Sequence, residues 1–134
     1  MAGYSGTPLW KKLGYKAGVS AYVECEPSNY VFLLMLPGDV VVTWLPRAKS
    51  EMQFVHLFVT SASQLKSKLE SFRKRIVPDG LIWVSWPKKS SGVKSDITED
   101  TIRDLALPMG LVDVKVCAVD EVWSALKLVI RRTA

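Results

Sequence analysis

The chain has 134 residues, 49% of them hydrophobic, and a formal net charge of +5, the size and composition of one folded domain whose core needs neither disulfide nor metal. Its longest apolar region, Tyr30 to Leu45, is broken at Pro37, Gly38 and Asp39, well short of the roughly 20 residues of a membrane span. The N-terminus has no apolar block behind basic residues, so neither a signal peptide nor a transmembrane helix is expected, and with Cys25 and Cys117 read as reduced a cytoplasmic location is the default.

Between Gly3 and Gly18, Thr7 as cap, Pro8 as first helical position and Gly14 as stop predict a short helix over Pro8 to Leu13. Val19 to Cys25 reads as a buried first strand. Glu26, Pro27, Ser28 and Asn29 then offer a turn and cap for a short apolar helix, Tyr30 to Leu36. Pro37, Gly38 and Asp39 turn the chain into a second strand, Val40 to Leu45, and a polar stretch leads to a third, Gln53 to Thr60. His56 is the only histidine, with no carboxylate or cysteine in its strand. It reads as a core residue rather than a ligand or base.

Ser61 or Ser63 can cap the next helix, where Leu65, Leu69, Phe72 and Ile76 recur at helical spacing while Lys66, Lys68, Arg73 and Lys74 face water. Pro78, Asp79 and Gly80 are expected to close that helix, and Leu81 to Trp86 to form a fourth strand. Two nearly all-apolar runs around an amphipathic helix predict a parallel βαβ unit from Phe54 to Gly92, about which the chain is organised.

Beyond the loop KKSSGVKSD, Asp96 and Glu99 suggest a capping box for a helix that buries Ile97, Ile102, Leu105 and Ala106 and stops at Pro108 and Gly110. Leu111 to Val119 alternates, with Val112, Val114, Val116 and Ala118 on one face and Asp113 and Lys115 on the other, as in a strand near an edge. Asp120 to Ser124 is too short for a parallel crossover. The last strand, Ala125 to Arg131, with Leu126, Leu128 and Ile130 inward, is therefore an antiparallel neighbour.

These elements predict a single α/β domain over residues 1–134, a three-layer αβα sandwich. Its six-stranded sheet is mostly parallel, ends in an antiparallel C-terminal hairpin, and has strand order 2-1-3-4-6-5.

The segments GYSGTPLWKKLGYKAG, PDGLIWVSWPKKSSGVKSDITED and LVDVKVCAVDEVWSALKLVIRR resemble, in order and across nearly the whole chain, the bacterial domain of unknown function 3052 family. The resemblance implies a bacterial protein and no particular activity. The succession of strand, helix, PDG turn, strand, loop, helix and terminal antiparallel pair is also similar to the C-terminal half of class I S-adenosylmethionine-dependent methyltransferases. Such enzymes carry a glycine-rich motif after the first strand and an acidic residue at the end of the second. Here the first strand leads to CEPSN, and the second ends in Trp44, Leu45 and Pro46. Glu24 and Glu26 are the carboxylates near the turn able to meet a ribose.

No nucleophile has a visible partner, and no GxSxG elbow occurs. Cys25 and Cys117 lack metal spacing and read as reduced core residues. Glu99 and Asp100 suit a first helical turn, and Asp120 with Glu121 a solvated connection. No catalytic residue, metal ligand or cofactor is expected.

The basic residues concentrate between Lys66 and Lys94, the acidic ones between Asp96 and Glu121, an asymmetry that can attract an anion. Ligands of open α/β sheets bind outside the carboxyl ends of the strands. The candidate ligand-binding residues are therefore Lys88, Lys89, Ser90, Ser91 and Gly92, with Thr60 and Ser61 on the neighbouring strand end. Nucleic acid is set aside because most tryptophans and tyrosines lie in apolar runs rather than among the basic residues. The expected function is non-catalytic binding of a small anionic ligand or a protein partner at these strand ends. The alternative is an enzyme of methyltransferase-like descent with an atypical cofactor pocket.

Overall fold

Buried strands flanked by amphipathic helices leave one economical arrangement, a sheet covered on both faces. The computed structural model describes residues 6–132; Gly3 lies outside them. Strands β1 (Ser20–Glu24), β2 (Thr43–Trp44), β3 (Met52–Phe58), β4 (Ile76–Pro87), β5 (Leu111–Ala118) and β6 (Trp123–Ile130) form one sheet in the order β2-β1-β3-β4-β6-β5. The β1–β2, β1–β3 and β3–β4 pairs are parallel, and β4–β6 and β5–β6 are antiparallel. This is the expected architecture, order included.

Helices α1 (Leu9–Leu13) and α2 (Tyr30–Leu34) cover one face, and α3 (Ala62–Arg73) and α4 (Glu99–Ala106) the other. Successive residues of β3 divide between the layers: Phe54 and Phe58 pack with Leu13, Leu34 and Trp83, whereas Val55 and Leu57 pack with Leu65, Leu69 and Ile102. That alternation is the pleat of a strand buried on both sides.

Several boundaries move from their expected places. Thr7 makes no cap bond to α1, where Pro8 holds the cap position, while Gly14 closes the helix in the left-handed region at φ 87° as anticipated. Helix α2 stops at Leu34 because Met35 turns left-handed at φ 54°, and Asn29 makes no side-chain cap. The second strand shrinks to Thr43 and Trp44 at the sheet's margin. Ser61 caps α3, but the helix ends at Arg73, so Ile76 opens β4 instead of closing the helical stripe.

The Pro78, Asp79 and Gly80 segment is a bulge inside β4, not a turn before it. Met52 pairs with Ile76 and Phe54 with Leu81, so Val77, Pro78, Asp79 and Gly80 of β4 lie against the single residue Gln53 of β3. A Cβ on Gly80 would lie 3.0 Å from the Met52 and Val77 carbonyl oxygens and 3.1 Å from the Ile76 Cβ. Only glycine fits without moving backbone. Gly80→Ala is expected to cost about 1 to 3 kcal/mol, read as a lower urea midpoint at unchanged m-value.

The cap of α4 is Thr98, whose hydroxyl accepts from the Thr101 amide while the Thr98 amide donates to the Thr101 hydroxyl. Asp96 and Glu99 do not form the expected box. In β5 a second bulge skips Val114, so Asp113 lies opposite Leu128 and Lys115 opposite Lys127. The uninterrupted alternation is lost there, and Asp113 and Lys115 point to opposite faces. Asp113 Oδ2 accepts from Arg103 Nε of α4 at 2.9 Å, and Lys115 Nζ donates to the Lys12 carbonyl of α1 at 2.9 Å. Val114 and Val116 remain more than half exposed on this edge strand.

Candidate functional site

Strand order reverses between β1 and β3, since β2 follows β1 on one side and β3 returns on the other. In open α/β sheets the loops at that reversal frame the ligand crevice. The relevant side chains are therefore those leaving β1, β3 and β4.

Leaving β1, Cys25 adopts φ 59° and is exposed, contrary to its expected place in the core; its sharp left-handed turn takes the chain off the sheet. Cys117 is half-buried, and burial pushes its thiol up. Glu24 is bound by the Lys68 ammonium of α3 and accepts from Tyr22 Oη at 2.9 Å. Burial first, and then that bond to Glu24, push the Tyr22 phenol up to about 12. Glu26 has no hydrogen-bond partner among the described residues and points to solvent.

Leaving β3, Ser61 Oγ accepts from the Gln64 amide at 3.4 Å and shares a hydrogen bond with Ser63 Oγ at 3.0 Å. The Thr60 carbonyl accepts from Ser95 Oγ at 2.9 Å and from the Asp96 amide. Asp96 Oδ1 in turn accepts from the Ala62 amide at 2.8 Å. The carboxylate thus sits at the positive end of α3, where it satisfies a first-turn donor.

Leaving β4, Lys88 Nζ donates to the Asp120 carbonyl and its amide to the Val122 carbonyl, both at 2.7 Å. Lys89 to Ser91 form one 3₁₀ turn, closed by Gly92 at φ 77°. Ser91 Oγ donates to the Lys88 carbonyl at 2.6 Å and accepts from the Val93 amide at 3.1 Å, while Lys89 and Ser90 are exposed. The loop is stapled to the β5–β6 turn, which Asp120 orders by accepting from the Val122 and Trp123 amides at 2.8 Å each.

Thr60 and Ser61 therefore share an open hollow of about 280 Å³ with Lys94, Ser95 and Asp96, and none of Lys88 to Gly92 lines it. Sequence reasoning missed Asp96 and Lys94 as its other wall, because the nearby Glu99 drew Asp96 into a helix-cap reading. Glu99 and Asp100 instead pair with Arg103, as first-turn carboxylates do.

His56 is fully buried, as expected, but it is not isolated. Tyr15 Oη and Tyr30 Oη share a hydrogen bond at 2.6 Å, Tyr30 Oη meets His56 Nδ1 at 2.8 Å, and His56 Nε2 meets Ser85 Oγ at 2.7 Å. Burial holds the imidazole down to about 3, so it is neutral at physiological pH. The chain runs through the layer between the sheet and α1 and α2, sealed from solvent. It is a structural relay. Among the described residues no cluster of His, Cys, Asp and Glu can hold a metal ion, and no helix is long and apolar enough to cross a membrane.

No protein-family model matches the chain, and no curated protein matches it in sequence. Solved structures do match in shape. A SAM dependent methyltransferase from Aquifex aeolicus superposes with a TM-score of 0.60 at 13% identity, over 90% of this chain and 86% of that one. The DhpI–SAH complex superposes with a TM-score of 0.61 at 10% identity, over 92% and 81%. LepI in complex with SAM superposes with a TM-score of 0.57 at 12% identity over 93% of this chain, which spans 47% of the LepI chain. At such identities the likeness is one of fold, and that fold is the α/β, Rossmann-like sheet of methyltransferases.

Proposed function

We propose that the chain is an enzyme of methyltransferase descent that takes an adenosyl cofactor in an atypical pocket at the carboxyl ends of β1 and β3. The observation that carries this reading is the sheet itself: four parallel strands with an antiparallel final pair, shared with structures that hold SAM and SAH. The residues present do not form a glycine-rich cradle. No glycine lies between Gly18 and Gly38, α2 has five residues, and Trp44 ends β2 where an acidic residue is usual. Cys25 supplies the left-handed backbone more often given by glycine. Since Lys68 holds Glu24, Glu26 is the carboxylate left for ribose hydroxyls.

Calorimetric titration with S-adenosylmethionine and S-adenosylhomocysteine tests the reading. Micromolar binding, weakened in Glu26→Gln, is the expected result; no heat at millimolar ligand removes it. A second reading is favoured by the missing cradle: a non-catalytic, cytoplasmic bacterial protein that binds a small anionic ligand or a protein partner through Lys88 to Gly92 with Thr60 and Ser61. It gains if the cofactors fail while phosphate raises the melting temperature of the wild type but not of Lys88→Ala with Lys89→Ala.

A further inference from the structure

The opposite edge of the sheet holds a second concavity. Where β1, β3 and β4 begin, a pocket of about 340 Å³ opens between the α1–β1 connection and the β4 bulge, within the size range of small-molecule sites. Phe54, Val77 and Leu81 supply apolar wall, and Lys16, Gln53, Asp79 and Lys127 supply the polar groups.

Their bonding states are informative. Gln53 Oε1 accepts from the Ser20 amide at 3.1 Å, which orients the side-chain amide and leaves its NH₂ without a protein acceptor among the described residues. Lys127 is half-buried in the middle of β6, and neither a carboxylate nor a carbonyl receives its ammonium among the described residues. Its cross-strand neighbour is another cation, Lys115. Burial first, and then Lys115, push the Lys127 ammonium below the usual lysine range. A partly desolvated cation without a counter-charge is a cost to the fold. Evolution can tolerate such a cost where a ligand removes it. Asp79 at the rim also borders a wider hollow lined by Arg131 and Arg132, so cations outnumber carboxylates along this edge.

We infer that the pocket at the amino ends of β1, β3 and β4 binds a small organic anion, with a carboxylate or phosphate between Lys127, Lys16 and the Gln53 amide and an apolar body against Phe54 and Leu81. The concave form and apolar wall favour a small molecule over nucleic acid, which needs an open basic groove with exposed aromatic rings. This site is separate from the carboxyl-end crevice and stands whether or not a cofactor binds there.

The probes are benzoate, phenyl phosphate and inorganic phosphate at millimolar concentration, with benzamide as the uncharged control, read by thermal shift and calorimetry. Wild type is expected to be stabilised by benzoate or phenyl phosphate and not by benzamide. Lys127→Met keeps the aliphatic stem and should weaken that binding about tenfold or more, the loss of one charge-assisted contact, while its ligand-free melting temperature stays level or rises. Lys16→Gln, at an exposed position, should weaken binding without touching the fold and keeps the test valid if Lys127→Met unfolds. The inference is overturned if no probe binds, if benzamide matches benzoate, if both variants bind like wild type, if Lys88→Ala abolishes the effect, or if a single-stranded oligonucleotide displaces the probe.

Discussion

Lowering the pH from about 7.5 to about 5.0 is expected to remove about 2 kcal/mol of folding stability through His56 alone. In the native state the imidazole stays neutral down to about pH 3, whereas in the unfolded chain it takes a proton near its ordinary value of about 6.5. Between those limits the unfolded state binds the extra proton. Stability is therefore fully present above about pH 6.5 and declines by about 1.4 kcal/mol per pH unit as the pH falls toward 3. Tyr15 and Tyr30, both raised above the ordinary phenol range by burial, do not titrate in that window.

His56→Asn separates this contribution from that of surface carboxylates. The variant should be less stable at neutral pH, because Tyr30 Oη and Ser85 Oγ lose the ring that joins them, and a buried hydroxyl left unpaired costs about 1 to 3 kcal/mol. Its further loss between the two pH values should be smaller than the wild type's by the His56 amount. Urea unfolding at both pH values measures all four quantities. Parallel losses in the two proteins would show that the imidazole is solvated in solution.

Trp83→Ala is expected to lower stability by about 3 to 5 kcal/mol, the usual cost of emptying a large core site. Trp83 is fully buried in the middle of β4, and its indole Nε1 donates to the Leu13 carbonyl at 2.8 Å, tying the C-terminal end of α1 to the sheet. A five-residue helix holds no shape by itself; α1 depends on Leu9, Leu13 and this bond. Trp83→Phe retains most of the buried area and loses the donor, so about 1 to 2 kcal/mol should go. In both variants the amides of α1 should exchange faster than those of α3. Equal protection of the two helices would break the link between Trp83 and α1.

The strand order was legible because two local features constrain it. The nearly continuous apolar runs of β1, β3 and β4 demand burial on both faces and hence central positions. The short link from Ala118 to Trp123 admits only an antiparallel return. Helix α3 was legible in its leucine spacing and in a cap at Ser61 or Ser63, of which Ser61 serves.

The misplacements share a different origin. Pro78, Asp79 and Gly80 carry a strong turn signal that the chain spends on a bulge inside β4, since β3 continues to pair on either side of it. Asp96 carries a cap signal that serves a different helix: its oxygen reaches the Ala62 amide, 34 positions away, while Thr98 caps α4. Turn and cap chemistry report what a residue can do, and the fold chooses the recipient.

The candidate site was legible only as a sheet edge. Charge and loop composition pointed to Lys88, Lys89, Ser90, Ser91 and Gly92, yet Lys88 and Ser91 are engaged within the chain, and the hollow beside Thr60 and Ser61 is completed by Lys94 and Asp96. Cys25 read as core because it ends an apolar run, and its exposure follows from a left-handed turn that no hydropathy pattern encodes.

What the sequence by itself determined is the α/β class, the parallel centre, the antiparallel end and the order of the six strands, because hydrophobic period and connection length are local quantities that limit which strands can be neighbours. The tertiary structure alone decided that Lys68 neutralises Glu24, that Tyr15, Tyr30, His56 and Ser85 join in one buried chain, and that Lys127 lines a pocket where no carboxylate or carbonyl bonds its ammonium among the described residues. Each of these depends on packing between segments far apart in the chain, where a polar side chain takes whatever partner the core brings within reach.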